Sequence, residues 1–210
     1  FDLSPPVNFS WSPPQGALTY DIYIWEDGNT SPATPIASNL TQITYAYSNL
    51  DFGKTYRWKV TAKNTCSTFD GPEQLFTIRS LPDLVVDSIT PPLSAFSGQP
   101  FSLKWIIRNQ GSGGTFSGQW SDAVYLSSDA LFDGSDQRLG AISNLTALQV
   151  GGSYEQTATF TLPQGISGTY FLFVVADNWT QLTESDENNK TMTKNKILSL
   201  ILPRAEQKTK

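Results

Sequence analysis

The sequence predicts an all-β protein built as two antiparallel β-sandwiches in tandem. Three observations lead there. Tyr56-Arg57-Trp58-Lys59-Val60-Thr61-Ala62-Lys63 alternates without a break between large or apolar residues and charged or hydroxyl ones. Phe101, Leu103, Trp105 and Ile107 take turns with Ser102, Lys104 and Arg108 in the same way. Successive side chains point to opposite faces of a strand, so each segment has one face for a core and one for water. The third observation is the short seam Leu81-Pro82-Asp83 between the two trains. The chain of 210 residues then divides into 1–80, 83–202 and a polar tail, 203–210.

The first sandwich is expected to contain strands at Val7–Trp11, Tyr20–Trp25, Thr44–Tyr47, from Tyr56 to Lys63, and at Glu73–Ile78. Ser12-Pro13-Pro14 and Glu26-Asp27-Gly28-Asn29 supply turns between them. The second is expected to contain Asp83–Val86, Phe101–Ile107, Ala123–Ser127, Ser153–Leu162, Thr169–Ala176 and a last strand through Lys196–Leu202. Tyr170–Val175 is almost continuously apolar, which marks a central strand. Only about three residues join the sandwiches, so limited bending is expected rather than a free hinge.

Composition narrows the function classes. The net charge is −5 and the lysines and arginines form no dense basic face, so nucleic acid is not an expected partner. The sequence has no run of 18 apolar residues, so membrane insertion by a helix is not expected. The chain starts at Phe1 with neither Met nor a signal-like segment, which is expected of a piece of a longer protein whose neighbouring domains are natural partners. Cys66 is the single cysteine, read as a small buried or half-buried residue at a strand end.

The chain contains no histidine, which removes every Ser-His, Cys-His and His-metal arrangement. Carboxylate pairs among Glu155, Glu184, Glu187 and the aspartates remain as the enzymatic option. Acids set among Asn, Ser and Gly are turn formers as a rule, so no catalytic residue is assigned and the chain is read as a non-enzyme.

Two loops concentrate oxygen ligands. In Asp129-Ala130-Leu131-Phe132-Asp133-Gly134-Ser135-Asp136, the side chains of Asp129, Asp133, Ser135 and Asp136 make up a calcium-type donor set. The alternative is an Asx-rich hairpin loop whose acids hold backbone amides. No cofactor is required in either case. Glu184-Ser185-Asp186-Glu187-Asn188-Asn189 is a second acidic stretch, read as a capping turn or solvated loop, or else as a calcium or partner site. Among the six tryptophans, Trp179 lies between Asn178 and Thr180 just past a strand end and is the ligand-binding candidate, a face on which a sugar stacks; the alternative is that it packs over the end of the sandwich. Trp11, Trp58 and Trp105 lie on alternating strands and belong to the cores.

Residues 5–79 resemble a fibronectin type III domain through Trp11 before Ser12-Pro13-Pro14, the Tyr20–Trp25 strand, and Leu50, Gly53, Tyr56, Val60, Ala62 and Asn64. The resemblance implies that Leu50 and Tyr56 form a tyrosine corner and that Trp11 is structural. Too few residues precede Val7 for a complete first strand, which is therefore expected to be truncated or lost. No Arg-Gly-Asp occurs.

From residue 83 to about 195 an ordered set of short motifs resembles the bacterial CARDB module, named for its relation to cell adhesion. The set runs through Asp83-Leu84-Val85-Val86, Gly98-Gln99, Trp105, Asn109-Gln110-Gly111, Trp120-Ser121-Asp122 and Val124–Asp129. It continues with Asp136, Leu139-Gly140, Gly151-Gly152-Ser153-Tyr154, Leu162-Pro163, Gly168-Thr169-Tyr170, Asp177 and Glu187-Asn188-Asn189. Together the two resemblances imply immunoglobulin-like sandwiches in a large secreted or surface protein, at the cell surface, outside it or in the periplasm. Adhesion or interaction with a glycan or a cell-surface or matrix protein is the expected role; a carbohydrate-binding accessory of a secreted hydrolase and a ligand-free spacer are the alternatives.

Overall fold

The structure, a computed structural model, describes residues 2–116, 118–192 and 197–201, with the backbone alone for Asp2, Met192 and 197–201. The tail predicted at 203–210 lies outside the described residues. Two compact units divide the chain, Phe1–Ser80 and Leu81–Lys210. Both are built of strands, and no helix occurs among the described residues. The second unit takes in Leu81 and Pro82, two residues before its first predicted strand. Gly113 N–H donates to the Leu81 carbonyl and Ser185 N–H to that of Pro82, both at 2.9 Å.

Unit 1 contains β1 (Asp2–Leu3), β2 (Val7–Ser10), β3 (Thr19–Glu26), β4 (Ala37–Leu40), β5 (Thr44–Tyr47), β6 (Thr55–Lys63), β7 (Thr68–Asp70) and β8 (Gln74–Ile78). One sheet runs β1-β8-β6-β3-β4 with β7 beside β6, and β2 pairs with β5 in the other. Val7, Phe9, Tyr20, Ile22, Ile24, Val60, Ala62 and Ile78 fill the space between them. The alternation of β6 has its expected consequence. Tyr56, Trp58, Val60 and Ala62 pack on the core, while Arg57 pairs with Asp27 and Glu73, Lys59 with Asp70, and Lys63 with Asp21. The two-residue β1 lies parallel to β8 rather than against β2.

Leu50 is buried, and the hydroxyl of Tyr56, one residue into β6, accepts a hydrogen bond from Asp51 N–H at 2.9 Å. A tyrosine corner ties its loop in this way. Trp11 sits at the rim of the core rather than within it, edge-on to Tyr20 at 5.5 Å. Cys66 is exposed, contrary to its expected burial. Asn64 Oδ1 accepts the N–H groups of Cys66 and Ser67, and this Asx turn puts the thiol at the tip of the β6–β7 hairpin.

Unit 2 contains β9 (Leu84–Thr90), β10 (Ser94–Phe96), β11 (Pro100–Asn109), β12 (Trp120–Ser127), β13 (Gln137–Asn144), β14 (Ser153–Thr161), β15 (Gly168–Val175), β16 (Thr191–Met192) and β17 (Ile197–Ile201). One sheet runs β10-β17-β15-β12-β13, with β16 beside β15, and the other β14-β11-β9. The predicted central strand, β15, is flanked on both sides. Phe101, Leu103, Trp105 and Ile107 from β11 meet Trp120, Val124 and Leu126 from β12 and Leu172 and Val174 from β15. Pairing is antiparallel throughout the described strands except for β1 with β8 and β10 with β17. These are mainly antiparallel immunoglobulin-like sandwiches, with short parallel pairings at two strand edges.

The Asn109-Gln110-Gly111 motif closes one end of the second sandwich. Buried Asn109 accepts N–H bonds from Asp83 and Gly111 and donates to the carbonyls of Gly113 and Gln149. A Cβ on Gly111 would lie 2.5 Å from Asp83 N, so only glycine allows the two backbones to approach this closely.

Candidate ligand-binding surface

The acids of unit 2 divide into a buried set and an exposed set. Between the sheets, Trp105 Nε1 donates to Asp122 Oδ2 at 3.0 Å, the Tyr154 hydroxyl donates to the same oxygen, and Trp120 Nε1 donates to the Tyr154 oxygen at 3.2 Å. Burial pushes the Asp122 carboxyl up to about 6, against the opposing pull of the Trp105 and Tyr154 hydrogen bonds. Burial and the neighbouring Asp122 charge also raise the Tyr154 phenol, so it stays a donor.

At the end of β15 lies a second buried group. Lys190 Nζ reaches Asp177 Oδ2 at 3.2 Å, Glu184 Oε1 at 3.0 Å and Glu187 Oε2. Glu184 also accepts the Leu84 N–H. Desolvation alone lowers a lysine, but here the hydrogen bonds that Lys190 donates to Glu187 and Glu184 outweigh it and hold Lys190 above its ordinary range. Burial raises the Glu184 carboxyl to about 7, with Leu84 N–H and Lys190 opposing. Of the readings of the acidic stretch 184–189, the wholly solvated loop does not hold, while Glu187 Oε1 accepts Glu184 N–H and Asp186 Oδ1 accepts Asn188 N–H as in a capped turn. Glu184 is buried and Glu187 turns to Lys190, while Asn189 donates to Asp83 at 2.8 Å. Glu155, the third of the glutamates singled out in the sequence, pairs with Lys104.

The loop 128–136 is organised by its acids. Asp129 Oδ1 accepts Leu131 N–H at 2.8 Å, and Asp133 Oδ1 accepts both N–H and Oγ–H of Ser135. Asp136 Oδ2 accepts Asp133 N–H at 2.9 Å. The Ser135 bonds lower the Asp133 carboxyl. This is the Asx arrangement. Among the described residues no group of three or more His, Cys, Asp or Glu is placed to hold a metal ion.

What the loop presents is aromatic. Phe132 packs edge-on against Tyr125 of β12 at 5.1 Å and tilts over Phe173 of β15 at 5.4 Å. The Tyr125 hydroxyl donates to Asn178 Oδ1 at 2.8 Å, and Asn178 N–H donates to the Ser121 carbonyl at 2.8 Å. Asp177, in the left-handed region at φ 42°, accepts the N–H groups of Gln181 and Leu182. That tight turn throws Trp179 outward, 52% exposed. Arg138 lies opposite Tyr125 across the β12–β13 pair, and its guanidinium stands over the Trp179 ring, 5.7 Å from the centroid. Phe132, Tyr125, Asn178, Trp179 and Arg138 thus form one continuous surface. The sequence marked Trp179; it did not mark Arg138 or Phe132, which residues far away in the chain bring alongside it.

Unit 1 carries a separate feature, a groove of about 750 Å³ where Trp11, Tyr20, Trp58, Phe69 and Pro72 converge. It opens beside β2, whose one partner among the described strands is β5.

The CARDB family profile matches residues 81–194, more than half of the chain. Among solved structures, the chain is similar to a CARDB domain from Pyrococcus furiosus crystallised in complex with di-metal ions, at 20% identity and TM-score 0.41 over 58% of this chain and 90% of that one. It is also similar to a β-glucosidase from Listeria innocua in complex with glucose, at 18% identity and TM-score 0.32, over 58% of this chain and 16% of that one. The FN1–FN3 domains of chicken CNTN1 match at 14% identity and TM-score 0.33, over 94% of this chain and 64% of theirs. No curated protein matches. On the strength of the profile match, which covers unit 2 from its first residues to β16, the chain belongs to the CARDB family.

Proposed function

We propose that the chain is a non-catalytic adhesion or interaction module of a larger bacterial secreted or surface protein, and that it binds a glycan through the Trp179 surface of unit 2. The observation that carries this reading is the exposed Trp179 indole, held in a continuous aromatic and polar patch by Arg138, Asn178, Tyr125 and Phe132. An indole offers a flat apolar face to the C–H side of a sugar, and nearby amides and cations fix its orientation. Membership of CARDB supports a module that binds or spaces rather than reacts. In unit 1, the Tyr56–Asp51 bond supports reading that unit as a fibronectin type III sandwich that spaces the binding unit from its neighbours.

A broad glycan array, probed with wild-type protein and with Trp179→Ala in calcium and again in EDTA, tests the proposal. Specific hits lost in the variant support it; an array on which the two proteins behave alike overturns it.

A further inference from the structure

We infer that the Trp179 surface selects acidic sugars, with Arg138 clasping the carboxylate of a uronic acid whose ring lies against the indole. The inference rests on the reading of Trp179 as the glycan platform.

Arg138 differs from most of the other described cations. Lys54, Arg57, Lys59, Lys63, Lys104, Arg108 and Lys190 each pair with a carboxylate. Arg138 is exposed and has no ion-pair partner among the described residues, although Asp129, Asp133 and Asp136 belong to the loop that carries Phe132. One oxygen of each of those acids is held by an amide of its own loop. The guanidinium carbon stands over the Trp179 ring, 5.7 Å from its centroid. A cation–π contact engages none of the guanidinium N–H groups in a hydrogen bond, so the planar fork keeps the donors that fit a carboxylate with two parallel bonds.

Asn178 adds a second donor group. Its Oδ1 is taken by the Tyr125 hydroxyl, while its amide N–H groups make no hydrogen bond among the described residues. They are left to meet a ring hydroxyl. The surface thus offers an apolar plate, an amide donor and one cation with no anion, and a uronate supplies an apolar ring face, hydroxyls and one carboxylate. The chain as a whole is anionic at −5, so long-range attraction works against such a ligand and affinity has to come from the contact itself.

The test is calorimetric titration of the whole chain in EDTA with oligogalacturonate, oligoglucuronate and alginate oligomers, each beside its methyl ester, and with a sulfated neutral glycan. Esterification removes the anion and keeps the ring. At least one free acid is expected to bind about ten-fold or more tighter than its ester and than the sulfated glycan, as fits a charge-assisted fork. Arg138→Gln is expected to bind acid and ester alike, and Trp179→Ala to bind neither. Both residues are on the surface, and circular dichroism checks that the variants fold. Equal binding of acid and ester, or Arg138→Gln with undiminished preference, overturns the inference and leaves the glycan reading standing. If the sulfated glycan binds best, the cation selects sulfate and the uronate assignment fails. If none of the acids binds while neutral array hits still depend on Trp179, the inference alone falls. Array hits indifferent to Trp179→Ala bring down the glycan reading with it.

Discussion

The indole N–H of Trp105 and the carboxylate of Asp122 meet at 3.0 Å between the two sheets of unit 2, in a site where both residues are almost wholly buried. An anion in such a place is costly unless donors surround it. Here the donors are Trp105 and Tyr154, and the cost appears as a carboxyl raised from 3.8 to about 6.

That displacement has a direction in pH. Between about 4 and 6 the native Asp122 holds a proton that the unfolded chain has released, so stability falls as pH rises through this window. Glu184, raised from 4.5 to about 7, extends the loss to about pH 7. Asp122 alone accounts for up to about 3 kcal/mol. Urea melts from pH 4 to 8 are expected to show this decline, and Asp122→Asn to remove most of its part below pH 6. A slope unchanged in the variant would place the titration elsewhere.

Lys190 balances Asp177, Glu184 and Glu187 from a buried position. Truncation to Lys190→Met leaves buried carboxylates without their counter-charge and is expected to cost about 3–5 kcal/mol at neutral pH, read as a shift of the urea midpoint. The loss should shrink toward pH 4 as Glu184 protonates. A variant as stable as wild type would show that water reaches the cluster.

In unit 1, Tyr56→Phe keeps the ring and deletes the acceptor of Asp51 N–H. The cost expected by chemical denaturation is about 1–2 kcal/mol. A difference below measurement error would mean that the corner adds packing alone.

The loop 128–136 gives a fourth test. If Asp133 serves to hold Ser135 and shape the turn that presents Phe132, the melting temperature is the same in calcium and in EDTA. Asp133→Ala should then weaken glycan binding equally in both buffers. A rise in melting temperature with calcium, abolished by the same substitution, would establish the calcium reading.

Periodicity made β6 and β11 legible, because each buries one face and pairs its other face with charges or water. It could not reveal β13. Gln137–Asn144 is an edge strand, half-buried from Leu139 to Ile142 without alternation, and its Gly140 leaves room for the Phe160 ring only 3.0 Å from where a Cβ would be. Arg138 stands on that strand, so the partner of Trp179 stayed hidden with it. Short edge strands such as β4 and β7 escaped notice for the same reason. The buried charges were equally invisible. Glu184 sits against Leu84, a hundred positions earlier, and no local pattern records such a meeting. Cys66 went astray because apolar character suggested burial, whereas its place in an Asx turn decided exposure.

The central claim is that ligand meets the chain at Trp179. The most direct measurement is a titration of ¹⁵N-labelled protein with the best array ligand, following the indole N–H resonances of the six tryptophans, with Trp179→Phe to assign that of Trp179. The account predicts that the Trp179 signal and the Arg138 side-chain signal move together while those of Trp105 and Trp120, fixed in the core, stay still. Shifts confined to Trp11 and Trp58 would place binding in the groove of unit 1 and contradict it.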